Sequence, residues 1–570
     1  MTVGDAHARD DRRDADGAPR IVLASLIVFL YLFPPETRGA AGAAICGAIA
    51  LLATLAMVRD RARAAAWGLV ALGVAAWPLS LAADAPGPAL PALAAPAVGL
   101  AFAAAGGAFG GGGSGRGPVA LGLAIGGSLA AAHSLFQATI GLDALGERLS
   151  AHPELLPHAE DVLGRLASGR AFAAFATPAA LGGALALSLP ATAGLAVVAR
   201  GGRRALAGLA LTIQGLGLLA TRSATAAIAL ACAAALAAAV SRDSTRRWLI
   251  PLGVAAALAL TSAVVLRGDE IIDTGGASNP LRLRAANWRS AAAMTADHPW
   301  TGVGVGGFGE AYPLYRAAGA NESRHAHNLP LEAVAELGAP LGLAIAALFL
   351  VVFLGPVARR GKFGDPQLVG ISVGLAAFAV HNLADFTAFL PSLLWAACAA
   401  RGSLSSRSGQ TPAPVWLGPA AVTVVLGACA VAAGAALSWD ARWRAIERGA
   451  AGAHGEAVTA ARAAVEWAPF DPDARLQWAR ALLATERPRP SARTLALATS
   501  AVDDAVDLSP GRPGPRRLRA RLREAAGDVG GALADLELAC RARPIDPECV
   551  RERERVAARI GLADFAGTDR

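Results

Sequence analysis

Residues 323–338 read SRHAHNLPLEAVAELG: two imidazoles one residue apart, an asparagine, a proline, then an apolar run carrying two glutamates. An imidazole is the side chain best suited to exchange a proton near neutral pH, which makes His325 and His327 candidates for acid–base work. Asn328, Pro330 and Glu332 have the order of a helix start, with the asparagine near the cap and the proline in the first turn. His327 then stands at the positive end of a helix. That position disfavours the imidazolium and suits a neutral ring acting as general base. Joined by Asp297, His298 or Glu332, the pair has the ligand types of a metal site, but no helical HExxH spacing supports one. Upstream, GVGVGGFG contains GxGxxG at Gly302, Gly304 and Gly307. A dinucleotide site needs a strand before that spacing. None precedes it, so the glycines read as a tight turn.

Something must position this chemistry, and composition says what. Hydrophobic residues make up 54% of the chain and charged residues 17%, with a mean hydropathy of +0.45. Soluble domains average about 25% charged, so the sequence predicts an all-α, polytopic membrane protein with a soluble appendage. Apolar stretches near the roughly 20 residues needed to cross a bilayer recur near 21–35, 40–58, 65–83, 89–109, 118–137, 171–199, 205–220, 224–240, 248–266, 338–357, 367–384, 386–400 and 415–437. These make about thirteen spans. Basic residues outnumber acidic ones, 52 to 44, yet no basic stripe suited to nucleic acid exists. Arginine and lysine instead cluster around 9–20, 59–63, 200–204, 242–247, 359–362 and 401–407, on alternate sides of the expected spans. The short loops on the other side hold only Arg38, Arg148, Arg165, Arg170 and Arg222. The positive-inside rule then puts a charged tail, 1–20, in the cytoplasm and the loop 267–337 outside. Within that loop, residues 284–296 pattern as a short interfacial helix anchored by Trp288.

Residues 438–570 form a different, outer-side unit, rich in arginine and patterned as amphipathic helices. Pro472, Pro510 and Pro547 mark corners at a near-constant interval, as expected of a helical solenoid of tetratricopeptide-like pairs whose concave face takes a protein or glycan partner. Cys540 and Cys549 flank one corner, where a disulfide is sterically possible but not required, whereas Cys46, Cys232, Cys398 and Cys429 lie in spans as apolar filler.

Three stretches resemble the O-antigen ligase and polymerase superfamily: RAANWRSAAAMTADHPWTGVGVGGFGEAYPLY followed by HAHNLPLEAVAELGAPLGL, SGRAFAAFATPAALGGALALSLP at 168–190, and HNLADFTAFLPSLLW at 381–395, which resembles the family's His-x-x-x-Asp segment. The resemblance spans roughly 165–400, so the expected catalytic membrane domain is 21–437 with the outer loop 267–337. It implies a glycosyltransferase of the inner membrane that moves a glycan from a polyprenyl diphosphate to an acceptor hydroxyl, with no metal, nucleotide sugar or other cofactor. The implied partners are that lipid-linked donor, a glycan, lipid or protein acceptor, and membrane lipids. His327 falls on the family's histidine as base, with His325 in support. The diphosphate calls for bidentate cations. Arg170 matches the family's arginine at the outer end of a span. Arg222 departs from the pattern, since the family's arginine falls where this chain has Ala224, and ATPAA stands where the family has an NPN-like element. Arg284 and Arg324 are further candidates for the diphosphate. Ligation to a lipid core, polymerisation and transfer to protein all stay open. A scaffold or glycolipid transporter is the non-enzymatic alternative, although an ion-coupled transporter calls for acidic residues within its spans, and this chain has few.

Overall fold

The computed structural model describes residues 17–34, 89–110, 117–151, 166, 168–240, 243–272, 279–317, 320–358, 365–404, 417–542 and 546–559. Among them every regular element is a helix. The membrane-like part comprises α1 (Gly17–Leu32), α2 (Ala89–Gly110), α3 (Gly117–Phe136), α4 (Leu142–Ala151), α5 (Pro178–Val198), α6 (Gly202–Thr221), α7 (Ala224–Val240) and α8 (Asp243–Ile272). The outer loop adds α9 (Pro280–Asp297) and α10 (Phe308–Tyr315), and the chain continues with α11 (Leu329–Ala358), α12 (Pro366–His381), α13 (Pro391–Ser403) and α14 (Leu417–Ala450). The tail holds α15 (His454–Trp467), α16 (Pro472–Thr485), α17 (Ala492–Leu508), α18 (Pro513–Ala525), α19 (Val529–Ala542) and α20 (Pro547–Arg559). Five helices are long and apolar enough to cross a membrane, and several shorter ones are equally apolar. The stretches expected near 40–58 and 65–83 lie outside the described residues. Each of the others contains a helix.

Small residues let these helices touch backbone to backbone, as suits packing where lipid offers no hydrophobic drive between helices. The α5–α12 contact is the example beside the site. A Cβ on Gly370 or Gly374 would run into the carbonyls of Pro190 and Leu187, and one on Gly194 would sit 2.5 Å from the carbonyl of Pro366. Any larger side chain would force apart the two helices that carry the site at their ends. A buried amide adds direction. The Gln214 amide nitrogen donates to Ala124 O at 3.1 Å and Thr192 Oγ1 at 3.0 Å, and its oxygen accepts from Ser188 at 3.0 Å, tying α6 to α3 and α5.

The interfacial helix expected at 284–296 extends over α9, starting a turn earlier because Asn279 caps the N–H groups of Leu281 and Arg282, both at 2.9 Å. Trp288 on it is half-buried, while Trp300 just beyond is 76% exposed, so the outward indole of this region is the second one. The boundary expected at 437/438 falls inside α14, which runs unbroken from its apolar half into the tail. From α14 to α20, each tail helix packs on the next in sequence. Pro472 and Pro547 open α16 and α20, whereas Pro510 sits in the turn before α18, which opens at Pro513. Cys540 and Cys549 form a disulfide, their Cα atoms 5.6 Å apart.

Candidate active site

Asn328 caps α11 as expected: its side-chain oxygen accepts from Leu331 N at 3.0 Å, and Pro330 and Glu332 lie in the first turn. This start is pinned to the turn between α12 and α13. Leu329 N donates to Asn382 O at 2.9 Å and the Asn328 amide to Leu383 O at 2.8 Å. The residue before the cap, His327, is forced to φ +55°, a left-handed conformation that costs an L-residue energy and that surrounding structure must impose. The same pinning brings it to Asp385.

Asp385 is the centre of the constellation. It is 1% exposed, and its carboxylate lies 3.8 Å from His327 Nδ1, 3.8 Å from the Arg284 guanidinium and 3.9 Å from His381 Nε2. At these distances the contacts are electrostatic rather than hydrogen bonds. The nearest hydrogen bond to the carboxylate is local, from Phe386 N at 2.8 Å. His327 Nδ1 and Asp385 Oδ2 are enclosed without a hydrogen-bond partner. Burial alone would raise the Asp385 pKa, but His327, His381 and Arg284 together hold it down at about 2. The group is a buried carboxylate that stays ionised.

His325 has a different environment. Its Nδ1 meets buried Glu332 Oε1 at 2.7 Å, and its ring stacks between Phe386 (4.7 Å) and Phe389 (5.1 Å). Burial pulls its pKa down, and the Glu332 carboxylate pulls it further up, leaving it above the ordinary value. Glu332 also accepts from Ala326 N at 2.8 Å, so this carboxylate fixes the backbone on which both histidines sit. His325 is a brace.

The glycine segment proves to be the tight turn the sequence predicts. Val303 N and Gly304 N donate to Ala335 O and Glu336 O, both at 2.9 Å, alongside a kink in α11 at Gly338. Gly302 and Gly338, at φ +65° and +75°, leave no room for a Cβ, which at either position would strike the opposite backbone. Glu336 Oε1 then accepts from Phe308 N at 3.1 Å, which starts α10.

The arginines divide. Arg170 and Arg222 come together although 52 positions separate them. Arg170 Nε donates to Thr221 O at 3.1 Å, and an Arg222 guanidinium nitrogen donates to Ser168 O at 3.1 Å. Arg222 ends α6 at φ +47°. The next residues lead to the carboxylate site: Ser223 Oγ is 3.1 Å from Thr225 Oγ1, which is 3.4 Å from His381 Nε2. Arg284 joins Asp385 directly. Arg324 is exposed and acts on Asp473 of the tail, so it lies on the tail-facing side of the loop. Among the described residues, no group of three or more His, Cys, Asp or Glu side chains is arranged to hold a metal ion.

Residues 207–346 match the O-antigen ligase family. With the apolar helices, that match supports a multi-pass membrane enzyme of the O-antigen ligase and polymerase superfamily. The O-antigen ligase match runs from α6 into α11 and includes Arg222, Arg284, Arg324, His325 and His327. Arg170, His381 and Asp385 lie outside it. No curated protein matches the chain.

Sequence reasoning left three contributors off its candidate site. His381 and Asp385 stood in the noted His-x-x-x-Asp spacing, but nothing in one dimension places them beside His327. Gln137 carried no signal. It lies in a π-helical turn, Gln137–Gly141, a geometry frequent at functional sites. Its amide binds Ala173 N, Phe172 N and Ala173 O at 2.7, 3.1 and 2.9 Å, fixing the loop that carries Arg170.

Proposed function

We propose that the protein is a glycosyltransferase that moves a glycan from a polyprenyl-diphosphate donor to an acceptor hydroxyl on the outer face of the inner membrane. The observation that carries this reading is His327, held at φ +55° with its Nδ1 toward the buried, ionised Asp385. That orientation leaves Nε2 to take a proton, and the carboxylate stabilises the imidazolium that forms, the division of labour of a histidine–aspartate pair. The acceptor oxygen attacks the anomeric carbon, its proton passes to His327 Nε2, and the sugar–phosphate bond breaks with the diphosphate as leaving group. Arg170 and Arg222 bind that diphosphate, and Arg284 lies between it and Asp385. The N-terminus of α11 adds the partial positive charge of its helix dipole on the same side. The Cys540–Cys549 disulfide supports an oxidising compartment for the tail. In this reading the tail's successive helices form a tetratricopeptide-like solenoid for the acceptor or a partner protein.

The test is His327→Ala. Loss of a general base costs about 10²–10⁴-fold in rate, so lipid-linked glycan should accumulate while donor binding and expression persist. Chelators should leave transfer by the parent unchanged. Normal transfer by the variant, or loss of transfer on chelation, would overturn the mechanism.

A further inference from the structure

We propose that the turn between α15 and α16, residues 467–471, is a membrane anchor: Trp467, Pro469 and Phe470 sit in the interfacial layer of the bilayer that α14 crosses. The inference rests on depth. α14 carries no charge from Leu417 until Asp440, and it is among the helices long and apolar enough to span a membrane. The carbonyl of Trp467 packs on Gly434, where an added Cβ would lie 2.5 Å away. Gly434 precedes Asp440 by six residues, or about 9 Å along a helix axis. The turn therefore descends beside the uncharged section of α14.

Its surface suits that depth. Trp467 is 54% exposed and Phe470 49%, and on α14 Trp439 is 42% exposed at the level where charges begin. Exposed aromatics on the turn and just above it are the residues that favour the membrane–water boundary. Of the acids flanking the turn, Asp471 lies 3.6 Å from Arg442 and 3.5 Å from Ser438 Oγ, Asp473 lies 3.3 Å from Arg442, and the exposed Glu466 pairs with Arg462 at 3.1 Å. Lipid penalises unpaired backbone groups, and here several are paired. Ala468 N donates to Ala464 O at 3.1 Å, Asp471 N to Ala468 O at 3.0 Å, and Pro469 O accepts two Arg475 N–H groups at 3.2 and 3.0 Å. The bilayer is the occupant because Gly434, under the turn, continues the exposed, uncharged stripe Thr423, Gly427 and Ala430 of α14, opposite the face that packs on the bundle. The same tail reaches Glu310 of the outer loop through Arg512, so the anchor sets the height of the tail over the candidate site.

The test uses the full chain in lipid vesicles, with its thiols other than the Cys540–Cys549 pair replaced by alanine. Trp467→Cys, Phe470→Cys and, as a reference, Arg493→Cys are each labelled with an environment-sensitive fluorophore. Labels at 467 and 470 should be quenched by nitroxide-bearing lipid and shielded from iodide, and the order should reverse at the exposed position 493. The unaltered chain, irradiated in vesicles with a photoreactive acyl chain, should give lipid adducts on 467–470. Iodide quenching at 467 and 470 equal to that at 493, shielding from both quenchers as under a covering protein, or an unaltered chain without adducts on 467–470 would overturn the proposal.

Discussion

Asp385→Asn isolates charge from shape. The amide oxygen can still accept from Phe386 N, now at 2.8 Å, so the local turn should survive. Three neighbours, His327, Arg284 and His381, lose the anion that lies 3.8–3.9 Å away. At an effective dielectric of about 20, unit charges about 4 Å apart interact by about 4 kcal/mol. The amide dipole retains part of that, so the imidazolium formed during transfer should lose about 2–4 kcal/mol, or about 30- to 1000-fold in kcat. Donor KM should change little, because the diphosphate partners Arg170 and Arg222 are untouched. Stability gives a second reading. The folded pKa of Asp385, about 2, lies below its ordinary 3.8, which corresponds to about 2 kcal/mol of stability. That contribution is present above about pH 4 and is lost as pH falls towards 2. The variant should be less stable at pH 7 by about that amount, and this acid dependence should vanish. The assay is transfer by purified protein from a lipid-linked donor, with kcat and donor KM measured separately and the folded fraction checked by thermal melting. A folded variant with kcat within about threefold of the parent would refute the histidine–aspartate pairing.

Arg170→Ala and Arg222→Ala should each raise donor KM more than they lower kcat, measured by titrating the lipid-linked donor, since both loops converge through crossed backbone contacts. Arg512 bridges Glu310 of the outer loop at 2.8 Å and Asp473 at 2.5 Å. Arg512→Glu should cost about 1–3 kcal/mol, and adding Glu310→Arg should restore part of it in a double-mutant cycle of thermal stability. The His325–Glu332 pair raises the His325 pKa, so its stabilisation is complete below the ordinary histidine value and fades as pH rises through the raised one. His325→Gln should therefore reduce melting temperature at pH 6 and do so less at pH 9.

The sequence by itself determined whatever depends on local pattern. Apolar run length gave the helices of the membrane-like part, because a bilayer fixes how long such a run must be. Cap chemistry gave the start of α11, since Asn328, Pro330 and Glu332 act within one turn, and the missing strand gave the glycine turn its reading. The O-antigen ligase resemblance was legible because its histidine segment is contiguous. Only the tertiary structure decided what His327 faces. Asp385 lies 58 positions away and reaches it because Leu329 and Asn328 bond to the turn between α12 and α13. Tertiary packing likewise moved Arg324 to the tail side and brought Arg222 beside Arg170. It also left α14 unbroken at the expected domain boundary. In each case the contact is set by where helices end relative to one another. That depends on helix packing, which no spacing along the chain records.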